Sequence, residues 1–173
     1  MTQSPENEQK FTGLILLTGQ DKPGIANALF QTLAEFAVQI LDVEQLLISD
    51  RLILTVLISL NPAHQSAISD DLDECAKQLN VDIASLFSTI EVVRAKEELI
   101  KVSITTSKMH PKLLFAVTHE LLTLGANLES INRISSSPLT LEISVSGAAL
   151  DQLSKALAGL KLEDLSTVTV SKK

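Results

Sequence analysis

Leu14-Ile15-Leu16-Leu17-Thr18-Gly19-Gln20-Asp21-Lys22-Pro23-Gly24-Ile25 is an apolar run that breaks into a polar Pro-Gly turn. The run, bounded by Gly13 and Gly19, reads as a short buried strand. Asp21 is placed to accept backbone N–H groups ahead of a helix, and Pro23 suits a first helical turn. The helix follows as Ile25, Leu29, Leu33 and Phe36, whose steps of three and four make one continuous apolar face. Beyond it, residues 38–49 and 52–60 read as strands joined by a tight turn at Asp50-Arg51. In the second of these, Leu52, Leu54, Val56, Ile58 and Leu60 alternate with Ile53, Thr55, Leu57 and Ser59, so both faces are largely apolar. Asn61-Pro62 ends that strand. A second helix carries the stripe Ile68, Leu72, Cys75, Ala76 and Leu79, and residues 83–93 read as a fourth strand.

The same order returns 88 positions later. Thr18 to Ile25 lies under Thr106 to Leu113, with Pro23 over Pro111, and Ala37-Val38-Gln39-Ile40 lies under Gly125-Ala126-Asn127-Leu128. Identity is low but the apolar positions stay in phase, which implies a duplicated unit. The second unit reads as strand 99–106, helix 111–124, strands 127–136 and 139–146 around a Ser137-Pro138 turn, helix 148–160 and strand 165–171. Gly125 provides its helix stop. The expected fold is therefore α+β, two tandem ferredoxin-like βαββαβ units. Each would put its helices on one sheet face and leave the other bare, so pairing with another unit or chain is expected.

Composition narrows the function. The chain has 173 residues, enough for two small domains. Aromatics make up only 3%, with no Trp or Tyr, so there is no base-stacking surface. The net charge of -7 carries no offsetting basic cluster and argues against direct nucleic-acid binding. Cys75 is the only cysteine, so no intrachain disulfide can form, and a reducing cytoplasm is expected. The polar start lacks a signal peptide's pattern, and no apolar run reaches a membrane span. Three scattered His and one Cys give no metal spacing. There is no P-loop, no G-x-G-x-x-G, no G-x-S-x-G and no H-E-x-x-H. We expect no catalytic residues, no metal and no cofactor: a chain that binds or senses.

The Asp-x-Pro-Gly-Ile turn after an apolar strand, followed by a helix and Ile40-Leu41-Asp42-Val43-Glu44-Gln45, resembles the ACT domain, the amino-acid-sensing module of metabolic enzymes. The resemblance covers residues 12–94 and 98–171 as two ACT units, after a disordered lead over 1–11. Asp42-Val43-Glu44-Gln45, Arg51-Leu52, Asn132-Arg133-Ile134-Ser135 and Pro138-Leu139-Thr140-Leu141-Glu142 look more narrowly like the regulatory half of ACT-containing phosphoserine phosphatases. Those enzymes continue into a catalytic domain opened by Asp-x-Asp-x-Thr, which this sequence does not contain.

That resemblance implies a small amino acid, serine or glycine, bound between two ACT units, a homodimer, and a catalytic phosphatase domain attached or associated. Its pattern falls on Asp21, Pro23, Gly24, Ile25 and Gln39 in the first unit and on Met109, Lys112, Leu113 and Asn127 in the second. Backbone donors at a helix start suit a ligand carboxylate, Gly24 leaves room for close approach, and Asp21 suits the ammonium. The second turn, Ser107-Lys108-Met109-His110-Pro111, lacks both Asp and Gly, so a site composed from two units is expected rather than two equal ones. The rival readings are an N-capped turn with no ligand, and a free-standing tandem regulator of the glycine-cleavage-repressor type that acts through protein partners. His64 and His119 read as surface residues, Cys75 as core, and the acidic run Asp70, Asp71, Asp73 and Glu74 as a solvated helix face.

Overall fold

A computed structural model describes residues 9–91, 98–161 and 165–172. The chain divides into two compact units, Met1–Arg94 and Ala95–Lys173. The first runs β1 (Gln9–Gln20), α1 (Ile25–Ala34), β2 (Gln39–Ile48), β3 (Arg51–Ser59), α2 (Gln65–Leu79) and β4 (Asp82–Glu91), with a 3₁₀ turn at Pro62–His64. The second runs β5 (Ile100–Thr106), α3 (Pro111–Thr123), β6 (Asn127–Ser136), β7 (Leu139–Ser146), α4 (Leu150–Ala158) and β8 (Leu165–Lys172). Each unit folds as one four-stranded sheet, ordered β2-β3-β1-β4 and β6-β7-β5-β8, in which every pairing is antiparallel. The expected βαββαβ order thus occurs twice.

The core follows from the periodicities. Ile25, Leu29 and Leu33 of α1 and Ile68 and Leu72 of α2 close over Ile15, Leu17, Leu54, Val56 and Ile58 of the sheet. In the second unit Leu113, Val117, Leu121, Leu153 and Leu157 close over Val102, Ile104, Ile143 and Val145. The buried triads Ile25-Leu29-Leu33 and Leu113-Val117-Leu121 keep the 88-residue offset, so the repeat in the sequence is a repeat in the packing.

Two expectations are revised. β1 is twelve residues long, not four, and begins at Gln9, inside the expected disordered lead; residues 1–8 lie outside the described residues. Gly13 and Gly19 do not bound it. They lie within it because a Cβ at Gly13 would stand 2.7 Å from the Phe87 ring and one at Gly19 2.6 Å from Val81. The charged stretch 94–98 between the two expected units also lies outside the described residues, except for Glu98.

All ten residues of β2 are exposed, and six of them are Ile40, Leu41, Val43, Leu46, Leu47 and Ile48. Among the described residues β2 pairs only with β3, so its outer edge carries no strand partner there, beside apolar side chains on both faces. Native edges are usually blunted by charge, Pro or cover. This one is blunted only by Asp42 and Glu44.

Candidate functional site

The first turn is tied down by backbone. The Asp21 N–H donates to the Asp50 carbonyl at 2.8 Å, linking the end of β1 to the β2–β3 turn. Asp21, Lys22, Pro23 and Gly24 are all exposed. Gly24 is the cap of α1, with φ 94 and ψ -10, and its carbonyl accepts the Ala28 N–H at 2.9 Å. No side chain caps this helix, so Asp21 is not its N-cap, and Pro23 precedes the helix instead of opening it. The left-handed backbone that Gly24 permits makes the chain turn one residue before Ile25. The opening N–H groups of an α-helix have no intrahelical acceptor and form a partial positive end. A Cβ on Gly24 would meet nothing within 4 Å, so the space before that helix start is open. Ile25 is 3% exposed and belongs to the core, so its backbone alone faces that space.

Gln39 lies elsewhere. It pairs with Ser59, which pairs with Thr12, whereas Gln20 pairs with Arg51. Eight residues of β1 therefore separate the two levels, about 26 Å at ~3.3 Å per residue. Gln39 lines an open groove of about 570 Å³ with Lys10, Phe11, Val38, Ser59 and Asn61. One unit does not unite Gln39 with Asp21 and Gly24.

The second unit repeats this separation. Pro111 opens α3 directly after His110, whose side chain makes no cap. Met109 is half-buried against the core. Asn127 pairs with Ser146, at the opposite end of β5 from Thr106. It enters β6 from a helix stop in which the Gly125 N–H donates to the Leu122 carbonyl at 3.0 Å and the Ala126 N–H to the Leu121 carbonyl at 2.9 Å.

Asn127 has a partner that the sequence reading missed. Its Nδ2 donates to Glu129 Oε1 at 2.7 Å, and the Ser146 hydroxyl donates to the same oxygen at 2.5 Å. Ser146 is buried, at 3% exposure. The Ser146 hydroxyl first, and the Asn127 amide next, hold the Glu129 carboxyl below its ordinary 4.5, against desolvation. Glu129 falls at a register shift between Leu128 and Ser130, and bulges re-aim side chains. The first unit has its shift at the matching place, between Ile40 and Asp42, but the residue there is Leu41. A signal was present: the consecutive polar pair Glu129-Ser130 breaks the apolar-polar alternation of Ala126-Asn127-Leu128 just after the helix stop.

On the helix side of the first unit a cleft of about 340 Å³ is lined by Gln31, Glu35, Asp71, Glu74, Cys75 and Gln78. Cys75 is buried, as its helix position implies. His119 is exposed and stacks on Phe115, with ring centroids 5.7 Å apart. His64 is half-buried, not a surface residue, because its ring packs 6.3 Å from Phe36. Among the described residues no group of three His, Cys, Asp or Glu could hold a metal, and no helix is long and apolar enough to cross a membrane.

Residues 12–85 match the family described as ACT domain. The chain is 31% identical over 166 residues to phosphoserine phosphatase SerB2 of Mycobacterium tuberculosis, covering 93% of this chain and 41% of that protein. It is 28% identical over 162 residues to a phosphoserine phosphatase of Streptomyces coelicolor, covering 85% of this chain and 36% of that protein. The chain thus spans about two-fifths of the length of these relatives. A solved structure described as a glycine cleavage system transcriptional repressor superposes with a TM-score of 0.69 at 18% identity, covering 95% of this chain and 96% of that one. A protein from Galdieria sulphuraria superposes with a TM-score of 0.66 at 16% identity, covering 96% and 98%. These two share the fold.

Proposed function

We propose that this chain, whose residues 12–85 match the ACT domain and which resembles part of the phosphoserine phosphatases, is an amino-acid-sensing regulatory module. Its ligand is a small zwitterion, serine or glycine. The carboxylate of the ligand docks on the open N–H groups at the start of α1, and an acidic side chain takes the ammonium. The observation that carries this reading is the uncapped helix start behind Gly24, whose left-handed backbone and bare Cβ position leave room for the ligand.

The turn and the strand start that the family pattern names lie at opposite ends of one unit. A site that uses both cannot lie within one unit; on this reading it draws them from two copies of the chain, and the module works as a homodimer. The exposed apolar edge strand β2 supports this, since such a surface rarely stays open. Ligand binding stabilises one arrangement of the copies and so biases an attached or associated phosphatase domain, by no more than the ligand's preference between the two arrangements. Calorimetric titration against the twenty amino acids tests the reading. Heat with serine or glycine and none with large side chains is the expected result; no heat with any of them overturns it. The second reading, a regulator acting through a protein partner, is favoured by the same exposed β2. It prevails if the module captures a partner protein while leaving phosphoserine phosphatase activity unchanged.

A further inference from the structure

We propose that Glu129, and not Asp21, reads the ammonium group of the ligand; this rests on the amino-acid-sensing reading above. Two carboxylates are candidates, and they differ in how they are held. Asp21 sits on an exposed turn, and among the described residues no side-chain bond orients it. Glu129 is oriented from two strands. Asn127 of β6 and Ser146 of β7 both donate to Oε1, while Oε2 has no partner among the described residues and Glu129 is exposed. A carboxylate fixed through one oxygen offers the other to a cation at little further entropic cost. The two donors also keep the group ionised, the form an ammonium needs.

The duplication supplies an internal comparison. Both units break register at the same place on the edge strand, and both pair the first residue of that strand with a serine: Gln39 with Ser59, and Asn127 with Ser146. Only the second unit puts a carboxylate in the bulge; the first has Leu41. The shared fold therefore does not require an acid there. Asn127, the residue the family pattern names, has a second role here: one of its amide N–H groups holds Glu129. The ligand class follows: a small molecule with a primary ammonium, its carboxylate left to a helix start.

The test is calorimetry of the full chain with serine and with 3-hydroxypropionate, which keeps the carboxylate and hydroxyl but lacks the ammonium. Glu129→Gln is isosteric and can still accept both hydrogen bonds, so the fold is retained; circular dichroism confirms it. Loss of a charge-assisted contact should weaken serine binding about ten-fold to over a hundred-fold. The analogue should bind weakly, and equally, to parent and variant. Asp21→Asn should bind serine within about two-fold of the parent, the scatter expected of an exposed surface change. Undiminished serine binding by Glu129→Gln overturns this assignment while leaving the sensing reading intact, and loss confined to Asp21→Asn returns the role to Asp21. If the parent binds no amino acid at all, both readings fall together.

Discussion

Replacing Gly24 separates the backbone from the ligand. The residue sits at φ 94, where an L-side chain is strained, yet a Cβ there meets nothing within 4 Å. No clash with this chain opposes Gly24→Ala, so its stability cost is the left-handed backbone alone. That cost is about 1–2 kcal/mol for an ordinary residue and smaller for Asn, which tolerates this region better. In a unit of this size 1 kcal/mol lowers the melting temperature by about 4–8 °C. Gly24→Ala should therefore melt roughly 4–16 °C below the parent in its first unit, with Gly24→Asn in between. Binding should follow a different order. The added side chain points into the space before the helix start, so loss should scale with its bulk, and Gly24→Val should abolish serine binding below its own melting point. Thermal melts by circular dichroism and calorimetry at 15 °C read the two effects apart. An unchanged melting temperature in Gly24→Ala refutes the strain argument. Parent-like serine affinity in a folded Gly24→Val refutes the placement of the ligand at this turn.

Sedimentation at tens of micromolar should give a dimer, and Leu47→Lys, at a position 55% exposed, should produce a monomer that stays folded by circular dichroism and whose melting temperature no longer depends on concentration; a parent that stays monomeric refutes the dimer. Mixing Gly24→Val with Glu129→Gln chains should restore roughly a quarter of the serine sites if each site draws on two copies, since half the dimers are then mixed and carry one intact site; no recovery places both residues in a single copy. Leu29→Ala, at a fully buried position, should cost about 2–5 kcal/mol in urea melts, and a loss under 1 kcal/mol would contradict the packing of α1. Glu129 has a folded pKa below its ordinary 4.5, so its stabilising contribution is complete above that value and fades as pH falls through the folded pKa. Ser146→Ala removes the larger cause, so its stability deficit should be visible at pH 7 and shrink as pH falls below 4.5 in acid melts; a deficit independent of pH would point to packing alone.

Local chemistry wrote much of this molecule into its sequence. The steps of three and four in Ile25-Leu29-Leu33 and Leu113-Val117-Leu121, and the alternation through Leu52, Leu54, Val56 and Ile58, each bury one face, and burial makes such patterns legible. The repeat survived low identity because the same apolar positions must close over the same sheet. The ends of elements were harder to read. Gly13 and Gly19 looked like strand boundaries, but they lie inside β1 because Phe87 and Val81, 74 and 62 residues away in sequence, occupy the space beside them. No local pattern carries such a contact.

The candidate site divides in the same way. The turn from Asp21 to Gly24 was visible because a Pro-Gly pair has few conformations. That Asp21 does not cap the helix, and that Gln39 lies at the far end of β1 from it, are facts of chain path and strand register. Glu129 is the clearest case. Its neighbour Asn127 was visible in sequence, but its value depends on a bulge that turns it onto Ser146, seventeen residues away on the next strand. Sequence alone determined the duplicated βαββαβ plan and the Gly24 turn, since both follow from local periodicity and backbone preference. Tertiary structure decided which carboxylate is held and which strand stands open, because strand pairing sets both and pairing joins residues far apart in the chain.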